Sequence, residues 1–166
     1  MEFQENVLKF ISESLINAGE TVSMAESVTS GFLQFSFSQM KDASQFFKGG
    51  ITVYTLDEKV NLLRIDQEKA ERCNCVSMEI AEDLALNIAR LFKTDWSIGV
   101  TGYATPVEES DYQIFAYFAF SYKNEIIFSK KMSLHPRTKA VNAQMYYSEF
   151  ILGCYQGEID RLLSSE

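Results

Sequence analysis

Apolar positions along the chain recur at helical spacing, then at strand spacing, and the two patterns alternate. Phe3, Val7, Leu8, Ile11, Leu15 and Ile16 share one helical face, and Gly19 supplies a stop. Residues 21–25 alternate as a short strand, ahead of a helix from about residue 29 to residue 40. Residues 50–54 read as a second strand. A charged helical segment follows at 57–64, which 66–72 extends or repeats. Ser77 caps a long amphipathic helix carrying Ile80, Ala81, Leu84, Ala85, Ile88, Leu91 and Phe92. Residues 96–101 read as a buried strand. Two strand-like runs at 112–122 and 125–134 then flank Lys123-Asn124, a hairpin signal. Pro136 fits the first turn of a closing helix that runs towards Leu163.

Strand–helix alternation followed by a hairpin and a helix predicts a three-layer α/β/α sandwich. Its sheet is mixed and mostly parallel. No linker composition or internal repeat divides the chain, so residues 1–166 are expected to form a single domain.

Composition narrows the function classes. A hydrophobic share of 46% and a charged share of 23% describe a soluble globular chain. The formal charge of -8, with no basic run interleaved with aromatics, argues against nucleic acid and anionic membrane as partners. No apolar run is long enough to span a bilayer, and the first residues carry no signal pattern, so the expected location is the cytoplasm. Cys73, Cys75 and Cys154 suit a reducing compartment, and Cys-x-Cys lacks the usual zinc spacing. No metal site is expected.

Chemistry concentrates where strands end and helices begin, the place at which open α/β sheets gather ligands. Ala25-Glu26-Ser27-Val28-Thr29-Ser30-Gly31 is such a turn. Its serine and threonine can cap a helix, hold an anion or developing oxyanion, or present a nucleophile. The second strand end carries Tyr54 and, one helical turn later, Lys59; the third carries Thr101 and Gly102. If the strands are parallel neighbours, Ser27, Tyr54, Lys59 and Thr101 face one crevice. His135 is the sole histidine and lies far from these ends in sequence, which disfavours a Ser-His-Asp relay. Lysine can replace histidine as base when burial lowers its pKa. Taken singly, Lys59 also reads as an exposed helix lysine, Tyr54 as strand-end packing, and Thr101-Gly102 as a turn.

Together these residues resemble the CinA C-terminal family, whose active members are nicotinamide-nucleotide amidases. The family's Ala-Glu-Ser-Cys-Thr-Gly-Gly appears as residues 25–31, and its Tyr-Ser-Asn-Glu-Ala-Lys as Tyr54-Thr55-Leu56-Asp57-Glu58-Lys59. Val76-Ser77 resembles its Ala-Val-Ser, and Thr101-Gly102-Tyr103-Ala104-Thr105-Pro106 its Thr-Gly-Ile-Ala-Gly-Pro. The resemblance implies a Ser/Lys amidohydrolase that converts the carboxamide of nicotinamide mononucleotide to the acid plus ammonia. Ser27 would be the nucleophile, Lys59 the base and Tyr54 an assistant. Thr29, Ser30, Gly31, Thr101, Gly102 and Arg137 would bind a small-molecule substrate. The resemblance further implies no metal or organic cofactor, and a homo-oligomer.

The chain departs from the family where substrate is gripped. Pro106 is followed by Val107-Glu108-Glu109-Ser110-Asp111 in place of a glycine-rich loop and a Lys-Pro-Val-Gly-Thr stretch. Ser30 replaces one glycine and Thr105 another, while Arg137 alone survives of a Gly-Asp-Arg segment. Three carboxylates beside a phosphate repel it unless they point away. Two readings follow: an amidase with altered substrate, or a catalytically silent ligand-binding or assembly module. The second expects a crevice filled by Tyr103 or closed by the acidic segment.

Overall fold

The computed structural model describes residues 4–165; Phe3, assigned by its spacing to the first helical face, lies outside them. The elements are α1 (Glu5–Ala18), β1 (Val22–Glu26), α2 (Phe32–Ser38), β2 (Phe47–Thr52), α3 (Leu56–Leu63), α4 (Gln67–Arg72), α5 (Met78–Phe92), β3 (Trp96–Gly102), β4 (Ile114–Tyr122), β5 (Glu125–Leu134) and α6 (Ala140–Leu163). The five strands lie in the order β2-β1-β3-β4-β5. β1 pairs parallel with β2 and β3, whereas β3–β4 and β4–β5 are antiparallel. All strands except β4 therefore point the same way, while the pairings divide evenly between the two types.

Side-chain alternation sorts the strands into two faces. Val22, Met24, Trp96, Ile98, Val100, Phe118 and Phe120 join the large core formed with α1, α2 and α6. The opposite face holds small residues. Ser97 pairs with Ser121 and Gly99 with Ala119 across β3–β4. A Cβ on Gly99 would lie 2.3 Å from the Ala81 carbonyl oxygen and 2.5 Å from the Ala85 nitrogen of α5. Glycine thus lets α5 sit directly on the sheet. The second core fills the flank of this contact with Ala25, Val53, Leu63, Ile65, Ile80, Leu84 and Ile88.

Several boundaries differ from the sequence pattern, each for a local reason. α2 starts at Phe32 and not at 29, because Ser30 (φ 49°) and Gly31 (φ 98°) take left-handed conformations that a helix cannot use. Asp111 and Tyr112 also have positive φ, so β4 begins at Ile114 instead of at 112. Pro136 lies in a turn closed by Thr138 N–H to His135 C=O, ahead of α6 and not inside its first turn. The hairpin turn is as expected: Lys123 (φ 50°) and Asn124 (φ 65°) match the paired positive φ of a type I′ turn. Among the described residues no helix is long and apolar enough to cross a membrane.

Candidate active site

The carboxyl end of β1 sends two consecutive side chains to opposite faces of the sheet. Glu26, fully buried, turns towards α2. Its Oε2 accepts from Thr29 Oγ1 (2.6 Å), Gly31 N–H (3.0 Å) and Leu33 N–H (3.1 Å), and Oε1 accepts from Gln34 N–H (2.7 Å). These are amides that a helix leaves without intrahelical partners. The chain's own carboxylate therefore occupies the anion-binding end of α2. Ser27 does not cap this helix. Its N–H is bonded to the Val100 carbonyl, and its hydroxyl faces α3.

Lys59 meets it there. Val53 N–H donates to the Glu26 carbonyl at 2.8 Å, carrying the β1–β2 ladder past its end. Thr55 then caps α3 by accepting from Glu58 N–H. Side chains tilt towards a helix's amino end, so Lys59 reaches back over residues 53 and 54. It is 1% exposed, which removes the exposed-lysine reading. Its Nζ donates to the Val53 carbonyl (2.8 Å), Ser27 Oγ (3.0 Å) and the Tyr54 carbonyl (3.3 Å).

Three acceptors match the three N–H bonds of an ammonium. Carbonyl oxygens can only accept, so a neutral amine keeps its two N–H bonds on Val53 and Tyr54. Its lone pair then faces Ser27, and the contact reverses, with Ser27 O–H donating to Nζ. Burial holds the amine below the ordinary lysine value, opposed by the neighbouring Cys75 sulfur. Burial also pushes the Cys75 thiol up.

The pair opens onto a cleft of about 640 Å³. Tyr54, Leu56, Tyr103, Val107 and Ala140 line it, with Asn74, Gln144, Glu71 and Glu109 as polar members. Gln144 Nε2 donates to the Val28 carbonyl (3.0 Å), and Tyr147 O–H to the Tyr103 carbonyl (2.9 Å), so α6 fixes both the Ser27 turn and the 103–113 loop. Tyr103 forms a wall and does not fill the space, and Glu109 stands at an exposed position on the rim.

The residues named from sequence divide sharply. Ser27, Tyr54, Lys59 and Gly102 line the cleft. Tyr54 is 68% exposed, and it reaches Lys59 through its carbonyl and not its hydroxyl. Thr29 and Gly31 are bonded to Glu26, and Ser30 is exposed outside the lining. Thr101 is buried and donates to the Cys75 carbonyl at 2.7 Å, fixing the segment that carries Cys75. Arg137 is exposed, its N–H on His135 Nδ1, and it does not line the cleft. Sequence reasoning missed Glu26 as a cap, because the amides it accepts from lie five to eight residues onward. It also missed Cys75, Asn74 and Gln144, for which no local pattern gives a signal. Among the described residues, no three His, Cys, Asp or Glu side chains are placed to hold a metal ion.

Fold and site together define a three-layer α/β/α protein with a buried Ser–Lys pair at the carboxyl ends of its parallel strands. The chain belongs to the CinA family: the model of the CinA C-terminal domain matches residues 4–149. A CinA-like protein of Flavobacterium psychrophilum is 31% identical over 139 residues, covering 79% of this chain and 33% of that protein. A CinA-like protein of Prochlorococcus marinus is 38% identical over 102 residues, 61% of this chain and 24% of that protein. The chain thus spans about a quarter to a third of the curated relatives it matches. The crystal structure of a competence or damage-inducible protein from Enterobacter asburiae superposes with a TM-score of 0.87 at 22% identity, covering 96% of this chain and 99% of that one. A CinA superfamily protein from Escherichia coli gives 0.83 at 25% identity, covering 92% and 88%.

Proposed function

We propose that this domain is a Ser/Lys amidohydrolase acting on the carboxamide of a pyridine nucleotide or a related amide. The observation that carries the reading is the 3.0 Å contact between Ser27 Oγ and a Lys59 amine whose other bonds both end on carbonyls. Neutral Lys59 takes the Ser27 proton as Oγ attacks the amide carbon. The tetrahedral oxyanion is received by the Val28 N–H, which makes no hydrogen bond among the described residues. Collapse breaks the C–N bond, and the Lys59 ammonium returns the proton to the departing ammonia. Water then attacks the acyl-serine with Lys59 as base again, giving the acid and free Ser27.

The alternative, a silent binding module, rests on the acidic 103–113 loop. The open cleft favours the amidase. Ammonia release from a panel of nicotinamide-type amides tests the choice, with wild type and Ser27→Ala side by side. Release that requires Ser27 is the expected result; its absence across the panel leaves the binding module.

A further inference from the structure

A primary carboxamide brings one acceptor, its carbonyl oxygen, and two N–H donors into a site. Recognising it takes an acceptor as well as donors. Donors are plentiful around this cleft. The Val28 N–H is free among the described residues, and α3 and α6 begin at the wall with Leu56 and Ala140, α6 without a side-chain cap. Free acceptors beside Ser27 are scarce. The Val53 and Tyr54 carbonyls hold Lys59, and the Val28 carbonyl holds Gln144. Glu71, Asn74 and Glu109 stand at exposed positions.

Gln144 is different. It lines the cleft from α6 and is half-buried. Its 3.0 Å contact is to a carbonyl, so the atom there is the amide nitrogen, which settles the other end of the planar group as Oε1. Oε1 has no hydrogen-bond partner among the described residues. It is also open to solvent, since the Tyr155 hydroxyl is the only buried, unpartnered side-chain polar atom among them. An unpaired acceptor is thus fastened to the residue that follows the nucleophile.

We propose that Gln144 recognises the leaving group. Its Oε1 accepts an N–H of the substrate carboxamide while the Val28 N–H takes the carbonyl oxygen, so the site prefers a primary amide to the ester of the same acid. The inference rests on the amidase reading of Ser27 and Lys59 and adds the residue that selects the bond they cut. An ester sets an oxygen, which can only accept, against Oε1 and leaves both without a donor. Gln144 transfers no proton. It holds one hydrogen of the nitrogen, whose lone pair takes the proton that Lys59 returns.

Nicotinamide mononucleotide and the methyl ester of nicotinic acid mononucleotide, which yield the same acid, are the probes. Formation of that acid is followed for the full chain as wild type, Gln144→Met and Gln144→Glu, with Ser27→Ala as the blank. Losing the Nε2 bond to Val28 affects both probes alike, so the ratio of their kcat/KM values isolates Oε1. Gln144→Met is expected to lower the amide-to-ester ratio about tenfold. Gln144→Glu keeps an acceptor and loses the donor, so it should lower both rates and hold the ratio within about threefold of wild type.

An equal loss for both probes in Gln144→Met reduces the residue to a clasp on Val28 and overturns the inference while the amidase stands. A ratio lost as fully in Gln144→Glu as in Gln144→Met overturns it too. Calorimetry on the Ser27→Ala protein should show tighter binding of the amide than of the ester, a preference that adding Gln144→Met removes. That preference without serine-dependent acid from either probe keeps the recognition and removes the amidase; its absence overturns the inference whatever the turnover.

Discussion

Glu26 Oε2 and Thr29 Oγ1 lie 2.6 Å apart in the buried turn that leads into α2, and both side chains are fully removed from solvent. The same carboxylate takes the Gly31, Leu33 and Gln34 amides. Hydrogen bonds to a charged group contribute about 1.5–3 kcal/mol each, and an unsatisfied buried donor costs a similar amount. Glu26→Ala is therefore expected to lower unfolding stability by about 3 kcal/mol or more, and Glu26→Gln by about 2 kcal/mol, since an amide keeps one acceptor. Urea denaturation measures both; an unchanged midpoint would show that the cap contributes nothing.

Lys59 carries a pH signature. Its folded-state value lies below the ordinary 10.5, because burial penalises the ammonium. Between those two values the unfolded chain holds the proton and the folded chain has lost it. Stability therefore rises with pH across that window, the penalty being fully present below the folded value and gone above 10.5. On the proposed mechanism kcat/KM rises through the same folded value, as the amine becomes a base. Lys59→Met should abolish activity and flatten the stability slope, read by denaturation at a series of pH values. A slope that persists in the variant would assign it to another group.

Tyr54 separates backbone from side chain. Its carbonyl accepts from Lys59 Nζ, while its ring stands 68% exposed on the cleft wall. Tyr54→Phe should leave kcat/KM within about twofold of wild type, and Tyr54→Ala should raise KM several-fold with kcat little changed, as expected for lost ring contact. A large fall in kcat for Tyr54→Phe would return the hydroxyl to proton transfer.

Tyr155 offers a stability gain. Its ring is packed edge-on against Trp96 and Phe120, and its hydroxyl is buried with no hydrogen-bond partner among the described residues. Tyr155→Phe removes that desolvated oxygen and keeps the ring, so it should add about 1 kcal/mol. A raised Tm is the expected reading; a fall would show that the hydroxyl has a partner.

Much of this architecture is legible from local chemistry. The Lys123-Asn124 turn, the Ser77 cap and the β4–β5 alternation each depend on neighbours within a few residues. Ser77 Oγ indeed accepts from Ile80 N–H at 3.2 Å. What local chemistry hides is tertiary. Asp57 and Glu58 beside Lys59 suggest a solvated helix surface, yet packing of α3 at the end of β1 buries the amine completely. Ser27 looks like a helix cap because serines usually are, and only the fold shows Glu26 performing that task. Thr101 sits at a strand end as read, but its hydroxyl donates to the Cys75 carbonyl, a partner too distant in sequence for any short window to contain.

The small seam between α5 and the sheet sets a rhythm for change along β3. Ser97 and Gly99 face α5 at contact distance and Thr101 faces the turn before it, while Trp96, Ile98 and Val100 face a core of many interlocking side chains. In a saturation scan the first set should accept almost no added volume, whereas the second should accept other large apolar residues with compensating changes nearby. Tolerance would alternate residue by residue along a single strand, and a lineage of this domain would be free to drift on one side of its sheet while standing still on the other.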